Sequence, residues 1–534
     1  MHLSDHQFSN LYSHLWLRLW PWMQFIDTYP YCFPNGPGEA KNCVRFVCQL
    51  GRLQSDAKTA ALIDSTPGVR ILVARAWGFL VGARPLMEEE DEVLITVVNF
   101  ITRRGFRTRF DPLPGPHIEE FMEGAGGGPA DLALLVTKLV DLTSSGPSTS
   151  MKRQILEGAV MFLANPEYMK YLPVPTFRSC GVISAMIKAI CAFNAGPLHQ
   201  MIILDGCFEV IHWLIRTSVQ EWLTEAVNAG LLRAIISCGT GTASQTHITT
   251  LHQTTLPMLA GGSFYYHTLT AIKNALPAVQ DLVQSRRFLE SATHDGYSYL
   301  MQLIAPRLQL LEFYDSDQFY SVRACDNLAC GEITKWPDFK RCGACRQRYY
   351  CSETCQRADW RSDHHLGCRA LRDASLPSTD TLTVRETNFL RAILHQDYLR
   401  LKIEILFQQI QFMLAHPQVE FYTDFDYSSL GITPAVKIYA CAAAKDDSVP
   451  TRQLMSRAQR SKGGMELHRM HLRILGGFQS RWFPMRTDNP ILYDAVRRLA
   501  MSLRGVDVTA RREDIMERLR QLDLEVDDEL LAIH

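Results

Sequence analysis

Apolar residues recur at three- and four-residue spacing through most of the chain up to about residue 315. "ADLALLVTKLVDL", "MKRQILEGAVMFLAN", "GVISAMIKAICAF", "FEVIHWLIRTSV" and "EWLTEAVNAGLLRAIISC" each show the pattern of an amphipathic helix. Short breaks containing Gly, Pro or Asn separate them. After about residue 382 the period changes. A long helical stretch, "FLRAILHQDYLRLKIEILFQQIQFMLAH", gives way to three runs that predict strands: "VEFYTDFDY", "AVKIYACAAA" and "MELHRMHLRI". Gly463 and Gly464 supply a turn ahead of the last run. The closing "REDIMERLRQLDLEVDDELL" puts Ile515, Leu519 and Leu522 on one helical face, as expected for packing against a parent domain.

These patterns predict a mainly α chain: a helical region over 1–318, a cysteine-rich module over 321–371 and an α+β domain over 382–534. "DASLPSTDT" reads as the linker into the last. At 534 residues the chain is too long for one ordinary core. Within the helical region, "ILDGCFEVIHWLI", "AVNAGLLRAII" and "THDGYSYLMQLI" each set a glycine before a new apolar helix, without a strict period. The arrangement resembles irregular armadillo or HEAT stacking.

The formal charge of −1 offers no broad positive field for nucleic acid or anionic lipid. The least charged stretch, 234–272, carries too many Ser, Thr, Gly and His residues for a bilayer helix. The opening "MHLSDHQFSNLYSHLWLRLW" lacks the layout of a secretory signal and is expected to form a helix packed on the body. Fifteen cysteines, an odd number, with seven of them between Cys325 and Cys368, do not make a disulfide framework. An intracellular setting, cytoplasmic or nuclear, follows. Cys180, Cys191, Cys207 and Cys238 sit in apolar contexts and are expected in the core.

The crowded cysteines run Cys325-x4-Cys330-x11-Cys342-x2-Cys345-x5-Cys351-x3-Cys355-x8-His364-x3-Cys368. Eight soft or borderline donors suit two tetrahedral zinc ions with every position filled by protein. Such closed sites leave no place for water, so metal-assisted hydrolysis is not expected. His364 and Cys368 stand four residues apart, one above the other on a helix. His365 is three residues from the same cysteine, and spacing alone leaves both histidines open.

"YYCSETCQRADW" followed by His-x3-Cys closely resembles the MYND-type zinc finger, whose ending selects His364. The resemblance implies a cross-brace: Cys325, Cys330, Cys351 and Cys355 on one zinc, Cys342, Cys345, His364 and Cys368 on the other. Two features depart from the usual pattern, the x4 gap in the first pair and one extra residue between Trp360 and His364. The resemblance also implies a ligand, a proline-containing extended peptide lying on Gln356 and Trp360. Tryptophan offers a flat apolar platform for a proline ring and glutamine can pair with peptide backbone. Between residues 321 and 371, nine Arg and Lys oppose six Asp and Glu. Seven thiolates and two Zn²⁺ bring the loaded module near neutrality, which points to protein partners rather than nucleic acid.

Some MYND fingers accompany SET-class lysine methyltransferases. "DFDY" (424–427) superficially resembles the SET strand end, but no Asn-His dipeptide occurs in the chain, and Phe425 and Tyr427 read as ordinary strand residues. "EGAGGGPAD" (123–131) and "CGTGTASQT" (238–246) lack the Gly-Lys-Ser/Thr ending of a phosphate loop. The acidic "MEEEDEV" reads as a helix start. The sequence therefore predicts a zinc-dependent protein–protein interaction adaptor, and its layout resembles the expanded MYND-domain proteins of filamentous fungi. A nuclear transcriptional regulator or corepressor adaptor is the alternative, and a SET-type methyltransferase stands third.

Overall fold

The three- and four-residue spacing of the first region buries one stripe of each helix against its neighbours. A computed structural model describes the chain except residues 1–4, 30–38, 55, 83–87, 103–114, 146–148, 166–167, 169, 194–200, 241–250, 317–318, 320–321, 336–338, 375–381, 430, 432, 445–448, 475–476, 489, 526–530 and 534. Most of the linker "DASLPSTDT" (373–381) and of "CGTGTASQT" (238–246) lies outside the described residues. The chain divides into two compact units, one of residues 1–217, 225–252 and 275–294, the other of residues 218–224, 253–274 and 295–534.

In the first unit the helices form two rows. Glu39–Leu53, Glu88–Thr102, Ser150–Ala164 and Met201–Thr217 pack in succession along one row. Val69–Gly82, Gly115–Ala125, Pro129–Thr143, Val182–Phe193 and Leu231–Thr240 make the other. Missing side chains let the first row close. A Cβ on Gly158 would lie 1.9 Å from Val98 Cγ1, and one on Gly206 would lie 2.5 Å from Val160 Cγ1. The opening helix, Asp5–Thr28, buries Trp16 and Met23, and the acidic run does begin a helix at Glu88. "EGAGGGPAD" is the turn between Gly115–Ala125 and Pro129–Thr143.

Two of the four cysteines expected in the core are not there. Cys207 and Cys238 are buried, but Cys191 is exposed and Cys180 is half-buried. Cys191 sits in the last turn of Val182–Phe193, within electrostatic reach of Arg233 and Cys238 on the helix Leu231–Thr240 but not covered by it. Cys180 ends the short helix Val174–Cys180 and donates its thiol to the Thr176 carbonyl at 3.0 Å.

The second unit is built on a five-stranded sheet of order β6-β5-β7-β8-β9. The strands are β5 (Phe421–Asp426), β6 (Ala435–Ala440), β7 (Met465–Ile474), β8 (Gly477–Thr487) and β9 (Leu531–Ile533). β5 and β7 are parallel, linked through β6 and the crossover helix Val449–Arg460; the other pairs are antiparallel. The first three strands match the predicted runs, and Gly463 takes the turn before β7 at φ +91°. Period-two alternation gives the sheet two apolar faces. Phe425, Met470 and Leu472 meet the long helix Val384–Ala415 through Phe389, Ile393 and Leu394. On the opposite face Tyr422, Met465 and Leu467 meet the crossover helix through Leu454, Met455 and Ala458. Ile515, Leu519 and Leu522 pack against Leu406, Phe407 and Ile410 of the long helix.

A carboxylate ties the long helix to its neighbour. Glu386 is fully buried and accepts from the backbone N–H groups of Tyr266 and of His267 (3.0 Å for the latter), the first turn of the helix Tyr266–Ala275. Negative charge there suits the helix dipole and satisfies donors that have no partner within their own helix. Glu386→Ala strands both donors and is expected to cost about 1–3 kcal/mol; Glu386→Gln, which keeps one acceptor, should cost less. Urea denaturation of the three proteins side by side measures the order.

Candidate metal centre

Four short strands and a helix position the eight donors. The hairpin β1–β2 (Val322–Ala324, Ile333–Lys335) carries Cys325 and Cys330 at its turn. The hairpin β3–β4 (Lys340–Arg341, Tyr349–Tyr350) carries Cys342 and Cys345. Cys325 N–H donates to Glu332 O and Cys342 N–H to Arg348 O, closing each knuckle on its own backbone. Arg346 follows Cys345 at φ +56°, in the left-handed region, and its N–H returns to Cys342 O. The finger helix Glu353–Asp359 is capped by Ser352, whose hydroxyl accepts from Cys355 N–H at 3.2 Å.

Two groups of donors result, Cys325/Cys330/Cys351/Cys355 and Cys342/Cys345/His364/Cys368, each with its ligand atoms within 4.8 Å of one another. A tetrahedral zinc with Zn–S near 2.3 Å sets sulfurs about 3.8 Å apart and an imidazole nitrogen about 3.5 Å from each sulfur. The pairs Cys330–Cys351, Cys351–Cys355 and Cys342–Cys368 stand at 3.8, 3.6 and 3.8 Å. His364 Nε2 lies 3.3 Å from Cys342 Sγ and 3.6 Å from Cys345 Sγ. The donor spacing therefore fits two zinc ions, in the interleaved pairing that the resemblance implied. In small finger peptides structural zinc contributes about 10–16 kcal/mol, on the scale of a domain's whole stability.

The extra residue between Trp360 and His364 is absorbed by a π-helical turn, Trp360–His364, which lets the finger helix run on into His365–Ala374. That turn buries His364 and leaves His365 exposed, where Nδ1 stands 2.6 Å from Trp360 O. The His364 ring is flanked edge-on by Trp360 at 5.4 Å and Tyr350 at 6.3 Å. Trp360 itself is 44% exposed and Gln356, one turn earlier, is half-buried.

Two arginines of the sheet region brace the finger, and the sequence reading named neither. Arg457, in the crossover helix and 1% exposed, donates Nη1 to Asp359 Oδ1 and to Asp363 Oδ2, both at 2.9 Å, and Nη2 to the Asp326 carbonyl. Burial alone would lower its pKa, but the Asp326 and Asp359 carboxylates outweigh it and hold the guanidinium above its ordinary value. Asp359 also accepts from the buried Tyr350 hydroxyl at 2.7 Å. Arg486 of β8 donates to the carbonyls of Cys325 and Cys330, at 3.2 and 3.0 Å. Leu328, between those cysteines, packs into the Tyr422–Met465–Leu467 cluster. Only the acidic partners lay within a motif, "QRADWRSD"; nothing local marks an arginine about a hundred residues away.

The "DFDY" segment carries core residues. Phe425 is fully buried, and the buried Tyr427 donates its hydroxyl to Asp397 Oδ2 at 2.8 Å. Among the described residues no helix is long and apolar enough to cross a membrane.

Comparison with known proteins agrees with the geometry. The MYND finger family matches residues 325–368, and the chain carries a MYND-type zinc finger. The chain is similar to SET domain-containing protein 14 of Caenorhabditis elegans, 38% identical over 50 residues, 9% of this chain and 11% of that protein. It is similar to the MYND-type zinc finger protein MUB1 of Saccharomyces cerevisiae, 35% identical over 71 residues, 12% and 11% of the two chains. Ubiquitin carboxyl-terminal hydrolase 19 of Arabidopsis thaliana is 41% identical over 56 residues, 10% and 7%. The chain spans roughly a tenth of the length of each of these relatives. No solved structure matches it.

His364→Ala is expected to drop the zinc content from two ions per chain to one, and His365→Ala to leave it at two; metal analysis of the purified proteins decides. Arg457→Leu leaves the buried Asp359 without its cation, while Asp363 keeps Arg460 at 2.7 Å, and should destabilise the second unit by about 3–5 kcal/mol, the range for breaking one side of a buried ion pair. Chemical denaturation reads that loss, with zinc content as the control that the finger itself remains loaded.

Proposed function

We propose that this protein is a zinc-dependent interaction adaptor whose finger takes a proline-containing extended segment of a partner protein across Trp360 and Gln356. The observation that carries the reading is Trp360. It is a large aromatic residue left 44% exposed, with its ring held edge-on to His364 in a metal-fixed turn. A solvated tryptophan locked in place is a platform prepared for an apolar ring, because little side-chain entropy remains to be lost on binding. Gln356 lies four residues earlier, on the same side of the finger helix. A half-buried amide there supplies a donor and an acceptor beside the platform.

The closed, all-protein ligand sets support an architectural role for the metals. The bracing by Arg457 and Arg486 supports a finger presented to a partner in a fixed orientation on the α+β region.

Gln356→Ala/Trp360→Ala, checked to retain two zincs, is the test. A fluorescent proline-rich peptide that binds the intact protein should bind the double variant at least tenfold more weakly, a loss of about 1.4 kcal/mol or more. Equal affinity for both proteins rules this surface out as the peptide site.

A further inference from the structure

Among the described residues the opening helix, Asp5–Thr28, packs mainly on Glu39–Leu53 and Ala57–Asp64, so it lies at one end of the helical stack. Its inner side is fixed there. The buried Trp16 donates its indole N–H to Thr66 Oγ1 at 3.0 Å, and Asp27 pairs with Arg75 at 2.7 Å. A stack of helices needs a polar outer face on its last member, because that face meets water. Here the outer face is apolar. Leu15, Leu17, Trp22, Phe25 and Tyr29 are exposed, Leu17 at 60% and Trp22 at 64%. Between His6 and Ile26, Arg18 is the single residue among Asp, Glu, Lys and Arg.

Four of the five exposed side chains fall on a repeat. Leu15, Trp22 and Tyr29 stand seven residues apart, and Arg18 and Phe25 follow the first two by three. That is the a and d spacing of a coiled-coil seam, about 21 Å long at 1.5 Å per residue. The rings along it are already set against one another. Trp22 meets Phe25 edge-on at 6.0 Å, and Phe25 lies 5.2 Å from Tyr29. Ordered rings lose little entropy when they are covered.

The face matches itself in size. Its five apolar side chains leave about 500 Å² open, as much as the largest patch on most monomers. Two such faces together bury about 1,000 Å², where a specific interface begins. It matches itself in charge as well. Between antiparallel chains an a position meets a d position, so Arg18 lies over Trp22 or Tyr29 of the second copy, a cation–π contact. Parallel chains would set Arg18 against Arg18.

We propose that the outer face of Asp5–Thr28 pairs antiparallel with the same face of a second copy, joining two helical stacks end to end. A two-fold contact of this kind closes on itself and yields a dimer rather than a filament. The seam shares no residue with the finger, so it stands or falls apart from the peptide reading.

Sedimentation equilibrium of the zinc-loaded full-length protein at micromolar concentration is expected to give twice the 60.6 kDa of one chain. Trp22→Glu/Phe25→Glu changes two exposed side chains and should raise the dissociation constant about a hundredfold or more, since each carboxylate would lie against apolar partners. Zinc content and circular dichroism equal to the parent's show that the variant is folded. Should it not fold, Leu15→Gln/Trp22→Gln, a milder change on the same seam, decides instead. Arg18→Ala should weaken the dimer; a tighter dimer means parallel chains and overturns the arrangement. A monomer at every concentration overturns the proposal, as does a dimer that the seam variants leave intact. Flotation with phosphatidylcholine vesicles is run alongside. A monomer that floats, and no longer does so in the double variant, makes a lipid surface the occupant and overturns the proposal too.

Discussion

One buried guanidinium, that of Arg457, decides how the finger sits. Zinc gives the finger its internal shape, since each metal ties together segments that share little apolar core. It does not say which way the finger faces. Arg457 does, by drawing Asp359, Asp363 and the Asp326 backbone onto the crossover helix. A buried charge with a fixed fork of donors tolerates one arrangement of acceptors, so the contact specifies orientation more sharply than apolar packing would. Arg486, seated on the carbonyls of Cys325 and Cys330, and Leu328, seated in the sheet cluster, complete the same interface.

That arrangement sorts the finger's charges. Counted over residues 321–371 the loaded module is near neutral, and the count is misleading about its surface. Three of its six acids, Asp326, Asp359 and Asp363, are drawn inward to Arg457. Arg323, Arg341, Arg346 and Arg348 lie on the side that faces the long helix and β8. Net charge speaks for the module as a whole, because the segregation of its charges is decided by the partner surface and not by composition.

The legible parts of this protein were those whose cause lies within a few residues. Ligand spacings of two to five residues describe single turns and hairpins, so the cysteine module could be read with its metal. β5, β6 and β7 carry clear alternation and were readable for the same reason. β8 was not, because Pro484 stands inside it opposite Leu467 and reads as a strand breaker. β9 has only three residues and joins the edge of the sheet at Met485–Thr487. Cys191 shows the converse error: local apolarity cannot tell the covered side of a helix from the open one. The extra residue before His364 was visible as a count, but its accommodation as a π turn depends on the helix continuing beyond it. The bracing arginines depend on tertiary contact alone.

The distances along the chain between the finger and its braces imply an order of events during synthesis. All eight metal ligands fall between residues 325 and 368, whereas Arg457 reaches Asp359 across 98 residues and Arg486 reaches Cys325 across 161. Loops of that length close late and slowly compared with a knuckle of a few residues. A ribosome adding about 5–20 residues per second leaves an interval of several seconds in which the finger is complete and its dock is not. Metal capture therefore comes first, and the nascent chain holds a loaded finger whose Asp359 and Asp363 carboxylates still lack the arginine that will bury them.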